Sequence, residues 1–257
     1  NMYPRGHVLL YDSFGMTPKK AYTEEEIKQM DYDQYYEFYM KEVAGRISLF
    51  GDYLQEVELA NELPDYRDAR DKFGWVFVTD VLEGANELLG DGRIKMINST
   101  GVSGQEGGVD YGGVSLNKKT FDSLREQGVE FNAVGAQGHS SNNQDPVNYY
   151  IQLDQLAQGA QYAGNTEYDF VSDLTRGSKE ALHKEACHLR DYVLMFYSYP
   201  KATSFTVWGH ADFYHWRRKG PLRDMTWVPK YEAEKYWMEL VEDEWKPYIT
   251  GKTGEDG

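Results

Sequence analysis

Short apolar runs of strand length alternate with longer segments of helical period along almost the whole 257-residue chain. No other feature of the sequence constrains the fold as much. Strands are expected at 7–12, 56–61, 93–98, 131–135, 166–170 and 204–208, and helices at 23–43, 74–89, 116–127, 147–160, 178–197 and 231–245. The helices declare themselves by apolar stripes such as Val78, Val81, Leu82, Ala85, Leu88 and Leu89, or Leu182, Ala186, Leu189, Val193 and Phe196. Glu24 to Glu26 suit the first turn of their helix, and Gly128 stands where a C-cap glycine belongs. A β-α order repeated in this way implies a parallel sheet with helices packed outside. Polar and catalytic-type residues follow the C-terminal end of nearly every strand, which is where closed barrels rather than open sheets build their sites. The expected fold is therefore α/β, a (β/α)8 barrel of the TIM type, with only about six βα units present in this chain. At about 43 residues per unit, eight would need about 340. Residues 1–249 are read as one barrel domain lacking its first two units, and 250–257 as a disordered tail.

Charge and cysteine usage remove several function classes. Forty-two acidic against 27 basic residues give a net charge of −15, which argues against nucleic acid or an anionic membrane surface as partner. One cysteine, Cys187, excludes an intrachain disulfide framework and a cysteine-based zinc site; it is expected to be buried in its helix. There is no apolar run long enough to span a membrane and no signal peptide. The chain opens at Asn1, so a processed or truncated N-terminus is expected. The glycine-rich stretch 101–113 lacks the Gly-Lys-Ser/Thr ending of a phosphate cradle and is read as a long connection. The 21 Tyr, 11 Phe and 6 Trp fit either a core or stacking on sugar faces.

The strand ends carry Arg5-Gly6-His7, Asn61-Glu62, Gln137-Gly138-His139, Thr166-Glu167, and Trp208-Gly209 with Asp212 and Trp216. The set lacks a nucleophile elbow and an HExxH metal site. Two carboxylates among carboxamides, imidazoles and indoles suit a glycosidic bond: one protonates the leaving oxygen, the other attacks or stabilises the anomeric carbon, and the indoles stack on sugar rings.

Five segments, in order along the chain, resemble the glycoside hydrolase family 10 endo-β-1,4-xylanases. Arg5-Gly6-His7-Val8-Leu9-Leu10 resembles RGHxLxW, Val57-Glu58-Leu59-Ala60-Asn61-Glu62 resembles WDVVNE, and Ala133-Val134-Gly135-Ala136-Gln137-Gly138-His139 resembles GxGxQxH. Thr166-Glu167-Tyr168-Asp169 resembles TELD, and Thr206-Val207-Trp208-Gly209-His210-Ala211-Asp212 with His215-Trp216-Arg217 resembles TVWGxxD…SWR. The resemblance implies a secreted, retaining endo-acting enzyme on β-1,4-xylan, with a xylan-like polysaccharide as partner and neither cofactor nor metal. Glu62 would be the general acid/base and Glu167 the nucleophile. Asn61 would hydrogen-bond the sugar 2-hydroxyl, His139 would support the nucleophile with Gln137 nearby, His7 would contact the −1 sugar, and Trp208 and Trp216 would frame it. Carboxylates about 5–5.5 Å apart would give retention of configuration, and the charge on Glu167 would favour the protonated form of Glu62 for the acid step.

The departures are specific. Tyr11-Asp12-Ser13-Phe14 stands where the family has Trp-His-Ser-Gln, Val57-Glu58 where it has Trp-Asp, and Asn98-Ser99-Thr100 where it has Asn-Asp-Tyr. Asp12 is expected to act as a third acid near the site. The family's first two βα units precede its RGH motif, whereas residues 1–4 alone precede Arg5 here, so an upstream segment or a second chain is expected to complete the barrel. Two alternatives remain: a catalytically impaired carbohydrate-binding protein on the same fold, and a hydrolase of another β-linked polysaccharide. His183 and His188, at i and i+5 on one helix, are read as non-functional, and His210 and His215 as loop residues without an assigned role.

Overall fold

The computed structural model describes residues 3–17, 22–102, 113–141, 144–220 and 222–244. Eight strand segments pair in parallel: β1 (Arg5–Gly6), β2 (Leu10–Tyr11), β3 (Glu56–Asn61), β4 (Ile94–Ser99), β5 (Ala133–Ala136), β6 (His139–Ser141), β7 (Tyr162–Val171) and β8 (Ala202–Val207). β1 and β2 are two pieces of one strand against β3, and β6 continues β5 along β7. The remaining pairs run β3–β4, β4–β5, β5–β7 and β7–β8. Each strand thus lies beside its successor in the chain, the order that right-handed βαβ crossovers produce. The result is a half-barrel of six βα units.

The helices α1 (Glu24–Gln29), α2 (Tyr32–Phe50), α3 (Asp68–Phe73), α4 (Trp75–Leu89), α5 (Gly113–Glu126), α6 (Pro146–Leu156), α7 (Lys179–Tyr197) and α8 (Tyr231–Met238) connect the strands. Their apolar stripes meet the sheet: Val78, Val81, Leu82 and Ala85 of α4 are fully buried, as are Ala186 and Tyr192 of α7. Tyr35 and Tyr39 of α2 pack on Phe77 of α4, so part of the tyrosine content is core. Gly128 has φ +89, the left-handed conformation expected after α5.

Several boundaries differ from expectation. The helix expected at 23–43 is two helices, because Thr23 with Glu26 and Asp31 with Gln34 each form a capping box, and the second restarts the backbone at Asp31. The strand expected at 166–170 begins at Tyr162. The helix expected at 231–245 is α-helical to Met238 and continues as a π-helix over Glu239–Glu244; residue 245 lies outside the described residues. So do most of the glycine-rich connection, apart from residues 101, 102 and 113, and the tail 250–257. Cys187 is half-buried, its Sγ 3.6 Å from His183 Nε2. His188 packs between Phe170 and Tyr192 and bonds the Tyr168 hydroxyl, which places it in the layer between sheet and helix.

Among the described residues β1 and β8 do not pair with each other, yet polar contacts through Glu56 and Thr166, with Tyr3 Oη donating to the Thr203 carbonyl at 3.3 Å, link the two ends of the sheet across the interior. Ser204 Oγ donates to Glu56 Oε1 at 2.8 Å, Tyr3 Oη donates to Glu56 Oε2 at 3.4 Å, and Arg5 Nη2 donates to the Thr166 carbonyl at 2.9 Å. Glu56 and Glu58 are fully buried: Glu56 accepts from Ser204 and Tyr3, and Arg5 pairs with both carboxylates. This polar floor holds the two ends of the sheet toward each other beneath the C-terminal rim.

Candidate active site

All eight residues expected at the site converge at the C-terminal end of the sheet. Asn61 and Glu62 close β3, and Glu167 lies on β7. Both strands carry an irregularity just there: the register of β3 on β4 shifts between Glu58 and Ala60, and that of β7 on β8 between Asn165 and Tyr168. Bulges re-aim side chains, and across the second one both Thr166 and Glu167 hydrogen-bond Asn98. Glu62 takes a left-handed backbone (φ +54). It is held there because its N–H donates to the Asn98 carbonyl at 3.3 Å and its own carbonyl accepts from Asp65 and Tyr66.

The two glutamates are tied together by amides. Gln137 Nε2 donates to Glu62 Oε1 at 2.6 Å and to Asn61 Oδ1 at 3.3 Å. Asn98 Nδ2 donates to the same Asn61 oxygen and to Glu167 Oε1, each at 3.0 Å. Asn61 Oδ1 is thus fully engaged, while its Nδ2 has no partner among the described residues. Tyr11 Oη donates to Glu62 Oε2. Glu62 is half-buried, and Glu167 is 4 % exposed.

Behind Glu167 stands a second carboxylate. His139 bonds Glu167 Oε2 through Nε2 at 3.2 Å and Asp169 Oδ2 through Nδ1 at 2.8 Å. Asp169, fully buried, also accepts from Trp216 Nε1 and Arg217 Nη1, each at 3.0 Å, and lies 3.0 Å from His215 Nε2. Burial alone would raise the Asp169 carboxyl; the bonds from His139 and His215 and the charges of His139 and Arg217 outweigh it and hold it down to about 2. Burial would likewise lower His139, but the two carboxylates raise it to about 9, so it is an imidazolium at neutral pH. Its two N–H groups then donate to both carboxylates.

The opposite wall is His7 and Trp208, whose rings meet edge-on at 5.3 Å. His7 Nδ1 lies 2.5 Å from Glu58 Oε2, and Arg5 pairs with Glu58 on its other side. Burial, with the Arg5 charge and against the opposing pull of Glu167, lowers His7 from its usual value, which favours a neutral ring donating from Nδ1 to Glu58. Donor atoms of His7, Glu58 and Glu167 lie within 4.8 Å of one another, the only such metal-compatible group among the described residues. Arg5 already neutralises Glu58 there. Trp216 is 60 % exposed, with its ring 5.1 Å from His139, and so offers an open stacking face.

Asp12 does not join this site. It is fully buried, and its Oδ1 accepts the N–H groups of Ala69 and Arg70 at the first turn of α3, a helix the sequence reading did not include. Tyr11 and Asp12 are consecutive in the chain; Tyr11 bonds Glu62 and Asp12 caps a helix. Residues missed as site members are Asn98, Asp169, His215 and Arg217. Asp169 had a signal: two positions after Glu167 on one strand, it shares a face with it. His215 is buried and packs under Gly209, whose added Cβ would lie 2.8 Å from the ring.

A parallel half-barrel with two carboxylates at its C-terminal rim, backed by an imidazolium and walled by indoles, defines a class of sugar-processing enzymes. The sequence matches glycosyl hydrolase family 10 over residues 1–236, and the chain belongs to that family and so to the glycoside hydrolases. No curated protein matches it. Among solved structures it is similar to xylanase 10B from Thermotoga petrophila RKU-1 in complex with xylobiose, with 18 % identity, a TM-score of 0.77, and coverage of 95 % of this chain and 75 % of that one. It is also similar to a GH10 from Paenibacillus barcinonensis, with 20 % identity and a TM-score of 0.73 over 97 % of this chain and 79 % of that one. A third is TsXylA, an intracellular xylanase from Thermoanaerobacterium saccharolyticum JW/SL-YS485, with 21 % identity and a TM-score of 0.73 over 92 % and 75 %. At these identities the likeness establishes the fold.

Proposed function

We propose that the protein is a retaining endo-acting hydrolase of β-1,4-xylan. The observation that carries this reading is the amide-linked pair Glu62 and Glu167 at the rim of a family 10 half-barrel. Glu167 attacks the anomeric carbon while Glu62 gives its proton to the leaving glycosidic oxygen. Water, deprotonated by Glu62, then displaces Glu167 and restores both groups. His139, donating to Glu167 Oε2, orients the nucleophile. Asn61, whose Nδ2 has no partner among the described residues, donates to the sugar 2-hydroxyl, a contact that strengthens at the transition state. His7, Trp208 and Trp216 enclose the −1 sugar. Xylan as substrate draws support from the xylobiose in the Thermotoga petrophila complex.

The test is release of reducing ends from xylan by the wild type and by Glu62→Gln and Glu167→Gln. Loss in both variants is expected, and activity surviving in both would end the assignment. Tyr11 at the rim, where the family has tryptophan, favours a second reading: the same chemistry on another β-linked polysaccharide. Glucan and mannan beside xylan separate the two, and binding without turnover on all three would identify an impaired carbohydrate-binding protein.

Two further parts of the reading concern the surroundings. The chain covers 75–79 % of the two xylanase-fold structures named first, and both sheet edges lack a partner strand among the described residues. Two more βα units, from an adjoining segment or a second chain, would close the barrel; edge amides of β1 and β8 would then resist hydrogen exchange, and rapid exchange would refute closure. No described helix is long and apolar enough to cross a membrane. A polymeric substrate favours secretion, which appearance of the protein in culture medium would test.

A further inference from the structure

The two oxygens of Glu62 face different chemistry. Oε1 faces Gln137 Nε2, an amide nitrogen that donates and does not accept. The amide cannot be turned over, because its carbonyl oxygen would then oppose both Glu62 Oε1 and Asn61 Oδ1. A proton on Oε1 would therefore meet a donor. Oε2 faces the Tyr11 hydroxyl, which both donates and accepts. Building on the hydrolase reading above, we propose that Tyr11 is a positioning residue for the acid/base: it makes Oε2 the oxygen that carries the transferable proton.

The phenol is held for this task. Tyr11 lies on β2 beside Asn61 in register, its N–H donates to Tyr39 Oη at 2.9 Å, and its ring packs edge-on against Tyr66 at 4.9 Å. Tyr39 is buried, so the backbone at Tyr11 is anchored to the core. Burial first, and the neighbouring Glu62 second, push the Tyr11 hydroxyl well above the usual phenol range, so it keeps its proton throughout the working range of pH.

The cycle balances around this pair. Protonated Glu62 gives the Oε2 proton to the glycosidic oxygen as the C1–O bond breaks with its electron pair on that oxygen, and Glu167 forms the new bond to C1. The Tyr11 hydroxyl turns to donate to the carboxylate so formed. In the second half, Oε2 takes a proton from water, the water oxygen bonds C1, and the electron pair of the C1–Glu167 bond returns to Glu167. Tyr11 then turns back to accept.

The experiment compares Tyr11→Phe with wild type and Glu62→Ala on xylan and on 2,4-dinitrophenyl xylobioside, whose leaving group needs no acid. For Tyr11→Phe, a hydrogen bond to a charged group is lost, so kcat on xylan is expected to fall about ten- to a hundredfold with KM within about twofold. Its kcat/KM on the aryl glycoside, which reports the first half-reaction alone, is expected to stay within about threefold. Unchanged turnover of xylan overturns the proposal, and so does an equal loss on both substrates, which marks general damage to the fold. If Glu62→Ala itself retains full activity on xylan, the acid/base assignment fails instead, and the two failures are thereby distinct.

Discussion

Replacing Asp169 by asparagine removes the charge that organises the back of the site without changing its shape. The carboxyl falls from 3.8 to about 2, a stabilisation of about 2 kcal/mol that is present above pH 3.8 and lost as pH drops through about 2. His139 rises from 6.5 to about 9, which is worth about 3 kcal/mol, present below pH 6.5 and lost as pH climbs through about 9. These shifts describe largely the same interaction from its two ends, so the smaller figure, about 2 kcal/mol, stands for the pair rather than the total. Asp169→Asn should therefore cost about 2 kcal/mol near neutrality. Because the imidazolium is half of the pair, the cost should shrink above about pH 9, leaving the part due to Arg217. Urea unfolding of both proteins at pH 5, 7 and 10 measures this. The His139 ring resonance should also titrate at lower pH in the variant. A gap that stays constant from pH 5 to 10, with His139 titrating unchanged, would refute the charge-pair account of this network.

Other consequences can be measured separately. Burial, against the pull of the α3 amides, raises Asp12 from 3.8 to about 6. Its contribution is fullest below pH 3.8 and declines as pH rises through about 6, so Asp12→Asn should gain up to about 3 kcal/mol on wild type between about pH 4 and pH 8 in denaturant titrations. A difference independent of pH would contradict it. At Gly135, an added Cβ would lie 2.3 Å from Asn98 Oδ1 and 2.8 Å from Met96 Sδ. Gly135→Ala should cost about 1–3 kcal/mol and depress kcat by displacing Asn98 from Glu167; retained activity would show that Asn98 does not set the nucleophile. Gly45 in α2 has nothing within 4 Å of an added Cβ, so Gly45→Ala should raise stability by about 0.5–1 kcal/mol in thermal unfolding and leave activity unchanged.

Local patterns in the chain were enough for the elements and for the motif residues, and long-range contacts supplied the rest. Glu56–Asn61 was legible residue for residue because apolar and polar positions end abruptly at Asn61-Glu62. The break between α1 and α2 was also written in the chain, as Thr23-x-x-Glu26 and Asp31-x-x-Gln34, but an apolar period running through both segments masks it. The early start of β7 was not legible. Tyr162-Ala163-Gly164-Asn165 has little strand character, and what favours glycine at 164 is long-range: an added Cβ would lie 2.7 Å from Met96 Cε, which would have to shift. That contact comes from a residue of β4, 68 positions away in sequence.

The site divides in the same way. Glu62, Glu167, Asn61, Gln137 and His139 were identified from short motifs, and they meet through bonds that span 28 to 76 residues of chain, with Asn98 bridging Asn61 and Glu167. Asn98 and His215 lie in segments that depart from the family pattern, so the sequence assigned neither a role; their parts become visible when β4 and the loop after β8 are folded against β7. Asp12 was misjudged for a physical reason: its neighbour Tyr11 does reach the site, whereas the first turn of α3 supplies the N–H groups that draw Asp12 away from it.

The central claim is that Glu167 attacks the anomeric carbon and is covalently glycosylated during turnover. Incubation with 2,4-dinitrophenyl 2-deoxy-2-fluoro-xylobioside, which forms the intermediate and then stalls, followed by peptide mass spectrometry, tests it most directly. The account predicts one fluoroxylobiosyl group on the peptide containing Glu167 and none in Glu167→Gln. A label on another residue, or an enzyme that turns over xylan and never becomes labelled, would contradict it.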